Sequence, residues 1–348
     1  MSYKKWTLSV IGITALFLSL LIGFNFVMDP MWTFNHRTHY QNAQMAIDER
    51  QQKTNWLTFR PFHYDTLLLG SSRSTYIDQH KFKGFHTFNF AVSNMSVREY
   101  DSFVRYAKQQ DQAKLQRVVI GLDFFKSSVN ESTAPLSLDG NVVRANAPFY
   151  RYKTLLSLDT FEYARKNFKA ALKDKPIFER SYDNYNVASA VSYSDKVKQV
   201  RTKDKIKKFR EVFYGPTYQY NDKYKAIIER VKVNNPDLEF IPFTTPISTE
   251  LMQALVEEGR FDDYERWLRD VISVYGGVYN FMYPNTVTNN YKNYFDGHHF
   301  YPQVGDYIAE RITDPTNKEL PKDFGEYVTA DTIDEHLKHV KELLNKQK

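Results

Sequence analysis

From Trp6 to Met28 the chain reads WTLSVIGITALFLSLLIGFNFVM, 23 residues without a charged side chain. A helix rising about 1.5 Å per residue over that length crosses a hydrocarbon core of about 30 Å. Lys4 and Lys5 precede the run, and positive flanks stay in the cytoplasm. The expectation is a single-pass cytoplasmic (inner) membrane protein: residues 1–5 a cytoplasmic tip, 6–28 a transmembrane anchor, and the rest outside. A cleaved signal peptide is the rival, but its apolar core is usually shorter and ends at a small-x-small site. Here the run ends in FNFVMDP, with large residues where small ones are needed.

The 348 residues suffice for one large domain or two small ones, and 42% hydrophobic with 25% charged residues describes a globular chain. There is no cysteine, which excludes disulfides, thiolate metal sites, a lipid-modified N-terminal cysteine and a cysteine nucleophile. The net charge is +6, densest in KVKQVRTKDKIKKFR, Lys196 to Arg210. This stretch is expected to be a solvated helix face or loop. Nucleic acid is not an expected partner outside the membrane; an anionic glycan, teichoic acid or lipid headgroup suits a basic patch.

After a polar juxtamembrane linker (29–58), strand and helix signals alternate. DTLLLG (65–70) is a short continuous apolar run, the pattern of a strand buried on both faces. HTFNFAVS (86–93), LQRVVIGLDFF (115–125), LEFIPFTTP (238–246) and VYNFMYP (278–284) follow, separated by helical patterns at 96–110, 223–235 and 249–276 and closed by a helix at 301–312. Residues 126–222 are polar and tyrosine-rich and are expected to form an insertion capping the site. Residues 313–348 are expected to be a charged helical tail with Ile333, Leu337, Val340 and Leu344 on one face. Five strands separated by helices predict an α/β domain (59–312) with a parallel sheet covered on both faces. Ligands of such sheets sit at the carboxyl ends of the strands, where Gly70-Ser71-Ser72, Ser93-Asn94 and Gly121-Leu122-Asp123 all fall.

A serine hydroxyl becomes a nucleophile when a base, usually a histidine oriented by a carboxylate, takes its proton. Of nine histidines, His299 stands out, three residues after Asp296 in NYFDGHHFYPQ, close behind the last predicted strand. Taken alone, that segment reads as a polar loop before a helix.

A strand ending in Gly-x-Ser near the start and Asp-x-x-His before the final helix together resemble the SGNH (GDSL-type) hydrolase superfamily, over about residues 59–312. The resemblance implies a flavodoxin-like three-layer fold with five parallel strands. It also implies a Ser-His-Asp triad of Ser72, His299 and Asp296, with Ser71 standing where the family more often has aspartate and His298 left without a role. It asks for oxyanion donors where this chain has Asn94 and Asp123. The Asn94 N–H and side chain suit that task, whereas an ionised Asp123 accepts hydrogen bonds only. Asp123 is therefore protonated, turned away or devoted to structure. Arg73 pairs with Asp123, holds an anionic substrate, or is a plain surface residue. No metal and no cofactor is called for.

Membrane-anchored proteins of this kind resemble the partners of membrane-bound O-acyltransferases, which modify envelope polysaccharides. The implied activity is serine-dependent acyl transfer, as an O-acetyltransferase or acetylesterase, on a cell-envelope polysaccharide or its acylated donor. The alternative is a catalytically degenerate binding or assembly partner of such an acyltransferase. A Rossmann-like nucleotide binder is disfavoured, because GSSRS lacks the glycines that let backbone approach a pyrophosphate.

Overall fold

The computed structural model describes residues 2–110, 114–132, 137–173 and 175–346. Short pieces of the expected tip, insertion and tail (1, 133–136, 174 and 347–348) lie outside the described residues, as do 111–113. The chain forms two units, one from residues 1–61 and 139–191, the other from 62–138 and 192–348. The expected linker 29–58 is thus folded structure that joins the middle of the expected insertion.

In the first unit the apolar run forms a helix, Tyr3–Met28, long and apolar enough to cross a membrane. The Glu49–Phe59 helix begins where the Asp48 side chain accepts the Gln51 N–H, and the Leu158–Ala171 helix where Ser157 accepts that of Thr160. Two-residue strands at 44–45, 181–182 and 188–189 pair antiparallel. The interior is aromatic and polar together. The Trp32 ring meets Trp56 and Tyr182 edge-on, and the buried Gln44 and Asn167 side chains bond each other. Buried glutamines and asparagines carry no hydropathy signal, which is why this stretch reads as a linker in sequence.

In the second unit six strands, β1 (Thr66–Leu69), β2 (Thr87–Asn89), β3 (Arg117–Leu122), β4 (Glu239–Thr244), β5 (Gly277–Asn280) and β6 (Glu326–Thr329), form one sheet in the order β2-β1-β3-β4-β5-β6. The first five are parallel; β6 runs antiparallel to β5. All four β1 residues are buried, and since successive side chains point to opposite faces, both faces of the sheet are covered there. The sequence reading expects five strands and misses β6, a four-residue segment with two exposed residues. Its anchor is a buried network. Asn280 of β5 accepts from Thr244 of β4 at 2.7 Å and donates to His336 Nε2 at 2.7 Å, while His336 Nδ1 donates to Glu326 of β6 at 2.7 Å. The following Ile333–Asn345 helix buries Ile333, Leu337, Val340 and Leu344.

Two glycines and an asparagine shape the turn after β1. A Cβ on Gly121 would stand 2.2 Å from Ser74 Oγ and 2.8 Å from the Phe243 ring, and one on Gly70, whose φ is +152°, also 2.2 Å from Ser74 Oγ. Ser74 therefore threads between two bare backbones. The buried Asn89 side chain of β2 donates to the carbonyls of Ser74 at 3.0 Å and Ile77 at 2.9 Å, pinning the same turn. Gly121→Ala is expected to cost about 1–3 kcal/mol through overpacking. Chemical denaturation in detergent micelles, against the wild type, measures it.

Candidate active site

Every loop at the carboxyl end of β1 to β5 contributes to one place. Ser72 lies in the turn after β1, Asn94 after β2, Asp123 directly after β3, Thr245 directly after β4, and Asp296, His298 and His299 between β5 and the Pro302–Thr313 helix.

Asp296 organises its own loop. Its Oδ1 accepts the backbone N–H groups of His298 (3.0 Å) and His299 (2.7 Å), so the carboxylate closes a tight turn. Gly297 takes a left-handed φ of +72° at the apex, and a Cβ there would meet Thr202 Cγ2 at 2.8 Å, so glycine is required. Asp296 Oδ2 faces His299 Nδ1 at 2.9 Å. A carboxylate only accepts, so Nδ1 carries the proton and the Nε2 lone pair is left facing Ser72 Oγ, 2.9 Å away. The His299 ring lies flat against Phe295, at 5.4 Å between centroids and 2° between planes. Ser72, His299 and Asp296 thus form an unbroken chain from hydroxyl to buried carboxylate.

A fourth group joins them. Lys205, on the Asp195–Lys208 helix, places Nζ 3.0 Å from Asp296 Oδ2. Burial alone would push the Asp296 pKa up, but the His299 ring and the Lys205 ammonium together hold it well below the usual carboxylate range. The basic stretch, expected to be a solvated helix face or loop, therefore puts one of its lysines against the Asp296 carboxylate. Nothing in the local sequence marks Lys205 among its neighbours. Its position at the site follows from tertiary packing.

Asp123 and Arg73 form a nearly water-free ion pair at 2.6 Å, with side chains 2% and 1% exposed. Asp123 Oδ1 also accepts from Thr245 Oγ1 at 2.6 Å, and Arg73 donates to the Thr245 carbonyl at 3.3 Å. Of the pairings left open by the sequence, the structure shows Arg73 against Asp123. Arg73 is not a surface residue, and neither residue lines the cavity beside Ser72.

That cavity, about 150 Å³, is lined by Ser71, Ser72, Asn94, Lys208, Phe213 and His299 among others. Asn94 has a left-handed φ of +55°, and its Oδ1 accepts from the buried Lys126, which also meets Glu131. With Oδ1 taken, the amide NH₂ is the free end of the Asn94 side chain. The backbone N–H groups of Ser72 and Asn94 donate to no acceptor among the described residues. His298 packs between Phe125 and Phe209 (5.6 and 4.8 Å), and burial, with Arg73 and His299 nearby, pushes its pKa well below the usual imidazole value, so it is neutral at neutral pH. Lys126 and Lys205 are the site residues that the sequence reading misses. Among the described residues no cluster of His, Cys, Asp or Glu is placed to hold a metal ion.

No family model matches the sequence, and no curated protein matches it.

Two outcomes are expected. Arg73→Met leaves the Asp123 carboxylate buried and unpaired and should destabilise the fold by about 3–5 kcal/mol, whereas Arg73→Met with Asp123→Leu should cost less than that single change. A double-mutant cycle read by denaturation tests the coupling. The depressed Asp296 pKa adds stability above the unfolded carboxyl value of about 3.9, and this is lost as pH falls below it toward the folded pKa. The stability gap between wild type and Asp296→Asn should therefore be widest above about pH 4 and narrow on acidification, measured by unfolding at each pH.

Proposed function

We propose that the protein is a membrane-anchored, serine-dependent acyl-transfer enzyme of SGNH-hydrolase type, acting outside the cytoplasmic membrane on a cell-envelope polysaccharide or its acylated donor. The observation that carries this reading is the relay Ser72 Oγ to His299 Nε2 at 2.9 Å and His299 Nδ1 to Asp296 Oδ2 at 2.9 Å. The strand order supports it: the five parallel strands, numbered along the chain, lie 2-1-3-4-5, the flavodoxin-like order. In this reading β6 is an addition at the edge of that sheet.

The chemistry follows from the geometry. Ser72 Oγ attacks an ester carbonyl as its proton passes to His299 Nε2, and the imidazolium that forms is stabilised by Asp296. The tetrahedral oxyanion accepts hydrogen bonds from the unoccupied N–H groups of Ser72 and Asn94 and from the Asn94 amide. His299 returns the proton to the departing alkoxide, leaving an acyl-Ser72 ester. An incoming sugar hydroxyl, or water, gives its proton to His299 as it attacks that ester, and collapse restores the Ser72 hydroxyl. Asp123 does not oppose the oxyanion, because its charge is matched by Arg73 and it stands off the cavity wall. A membrane-bound O-acyltransferase is the proposed upstream partner, supplying the acyl group across the bilayer.

A fluorophosphonate probe tests the reading. Wild type should be labelled, Ser72→Ala should not, and Asp296→Asn should react roughly 10⁴-fold more slowly, by analogy with loss of the orienting acid in serine hydrolases. Folded wild type that fails to label would leave the alternative, a binding protein on the same scaffold.

A further inference from the structure

The first unit carries a surface whose position along the N-terminal helix gives it a use. Leu21, Asn25 and Met28 are the buried positions of that helix, one stripe at helical spacing, so the unit packs against its last two turns. The Asn25 side chain donates to the carbonyls of Leu155 at 2.9 Å and Ser157 at 3.2 Å, and the Phe24 ring meets Phe161 at 5.5 Å. Residues 155–157 are therefore fixed at the level of Asn25, and Tyr152 meets Phe34, just beyond the helix end, at 6.5 Å.

That level is set by length. The uncharged run of 23 residues spans about 35 Å, only about 5 Å more than the hydrocarbon core. Leu21 is about 10 Å before Met28. Whichever end takes up the excess, Leu21 lies about 5–10 Å inside the hydrocarbon and Asn25 within about 5 Å of its boundary. Tilting the helix to absorb the excess leaves both residues within these ranges.

From this level to just past the helix end the unit exposes what a water-facing surface avoids. Phe149 is 74% exposed, Tyr152 56%, Leu156 53% and Leu158 66%. Phe149 is also held at φ +59°, a conformation that is costly for a bulky side chain and that turns an aromatic ring outward. Exposed Lys153 lies among them. Aromatic and aliphatic side chains beside a lysine are the composition of a membrane-interface contact.

We infer that Phe149, Tyr152, Leu156 and Leu158 form a second membrane contact, seated in the headgroup and upper acyl region of the leaflet where the N-terminal helix ends. The inference rests on that helix spanning the bilayer. Its consequence is orientation: a single helix leaves the attached unit free to swivel, whereas helix and patch together hold it at one tilt to the lipid surface.

The absence of cysteine makes the test clean. Single cysteines at Phe149, Leu156 or Leu158, and at Ile13 as a reference, are nitroxide-labelled in the full chain in nanodiscs of phosphatidylcholine and phosphatidylglycerol. Collision rates with oxygen and with a water-soluble nickel chelate are then measured. The expected result is an oxygen-to-nickel ratio several-fold above that of free label at all four positions, highest at Ile13. A lipid-like Ile13 with water-like values at the other three overturns the membrane patch, leaves the anchor intact and assigns the surface to a protein partner. A water-like Ile13 overturns the anchor and the patch together.

Discussion

A guanidinium and a carboxylate almost shut off from water, Arg73 and Asp123, meet at 2.6 Å at the ends of β1 and β3. Neither charge is tolerable alone at that burial, so each fixes the other. Because Arg73 directly follows Ser72, the pair sets where the serine turn lies relative to β3. Through the hydroxyl and carbonyl of Thr245 it also ties that turn to the end of β4. The hydroxyl that faces His299 is thus positioned by an ion pair that stands off the cavity. A residue that reads in sequence as a defect in an oxyanion hole is, in three dimensions, part of the support for the turn that carries Ser72.

Much of the second unit is legible in the sequence because its strands are buried on both sides. TLLL and RVVIGL are short apolar runs bounded by polar breaks, which favours strands, and the break to Gly-Ser-Ser-Arg marks the strand end. Asp296 and His299 are legible as well, since a three-residue spacing on a loop lets the carboxylate reach both the backbone and the ring. Lys205, Lys126 and Asn89 are not. Each matters through a partner 30 or more positions away or a backbone turn on another strand, and no local pattern encodes such a meeting. β6 is illegible for a different reason: it is short, half exposed, and held by the Asn280–His336–Glu326 network rather than by an apolar run.

Beyond its apolar helix, the first unit is illegible as a folded body for a third reason. Its interior is built from Trp32, Trp56 and Tyr182 with buried glutamines and asparagines, so hydropathy alone places it among linkers. Polar cores of this kind hold only when each amide finds its partner. The partners here come from two stretches of chain far apart in sequence, as Asn25 with Leu155 and Gln44 with Asn167 show.

That separation has a consequence for synthesis. The first unit is interrupted by residues 62–138, which carry β1, β2 and β3 of the second. A chain emerging from its N-terminus delivers the apolar helix long before Leu155 and Ser157, whose carbonyls receive the Asn25 amide. Until then Asn25 has neither of those acceptors and sits at the edge of an apolar helix, where an unmet amide is costly. Likewise Ser72 exists well before His299. Neither unit can close in the order in which it is made, so the nascent chain must hold two unfinished halves until its second part arrives. Such a protein depends on the rate of its own elongation, and on whatever shelters exposed sheet edges meanwhile, more than one whose units lie end to end.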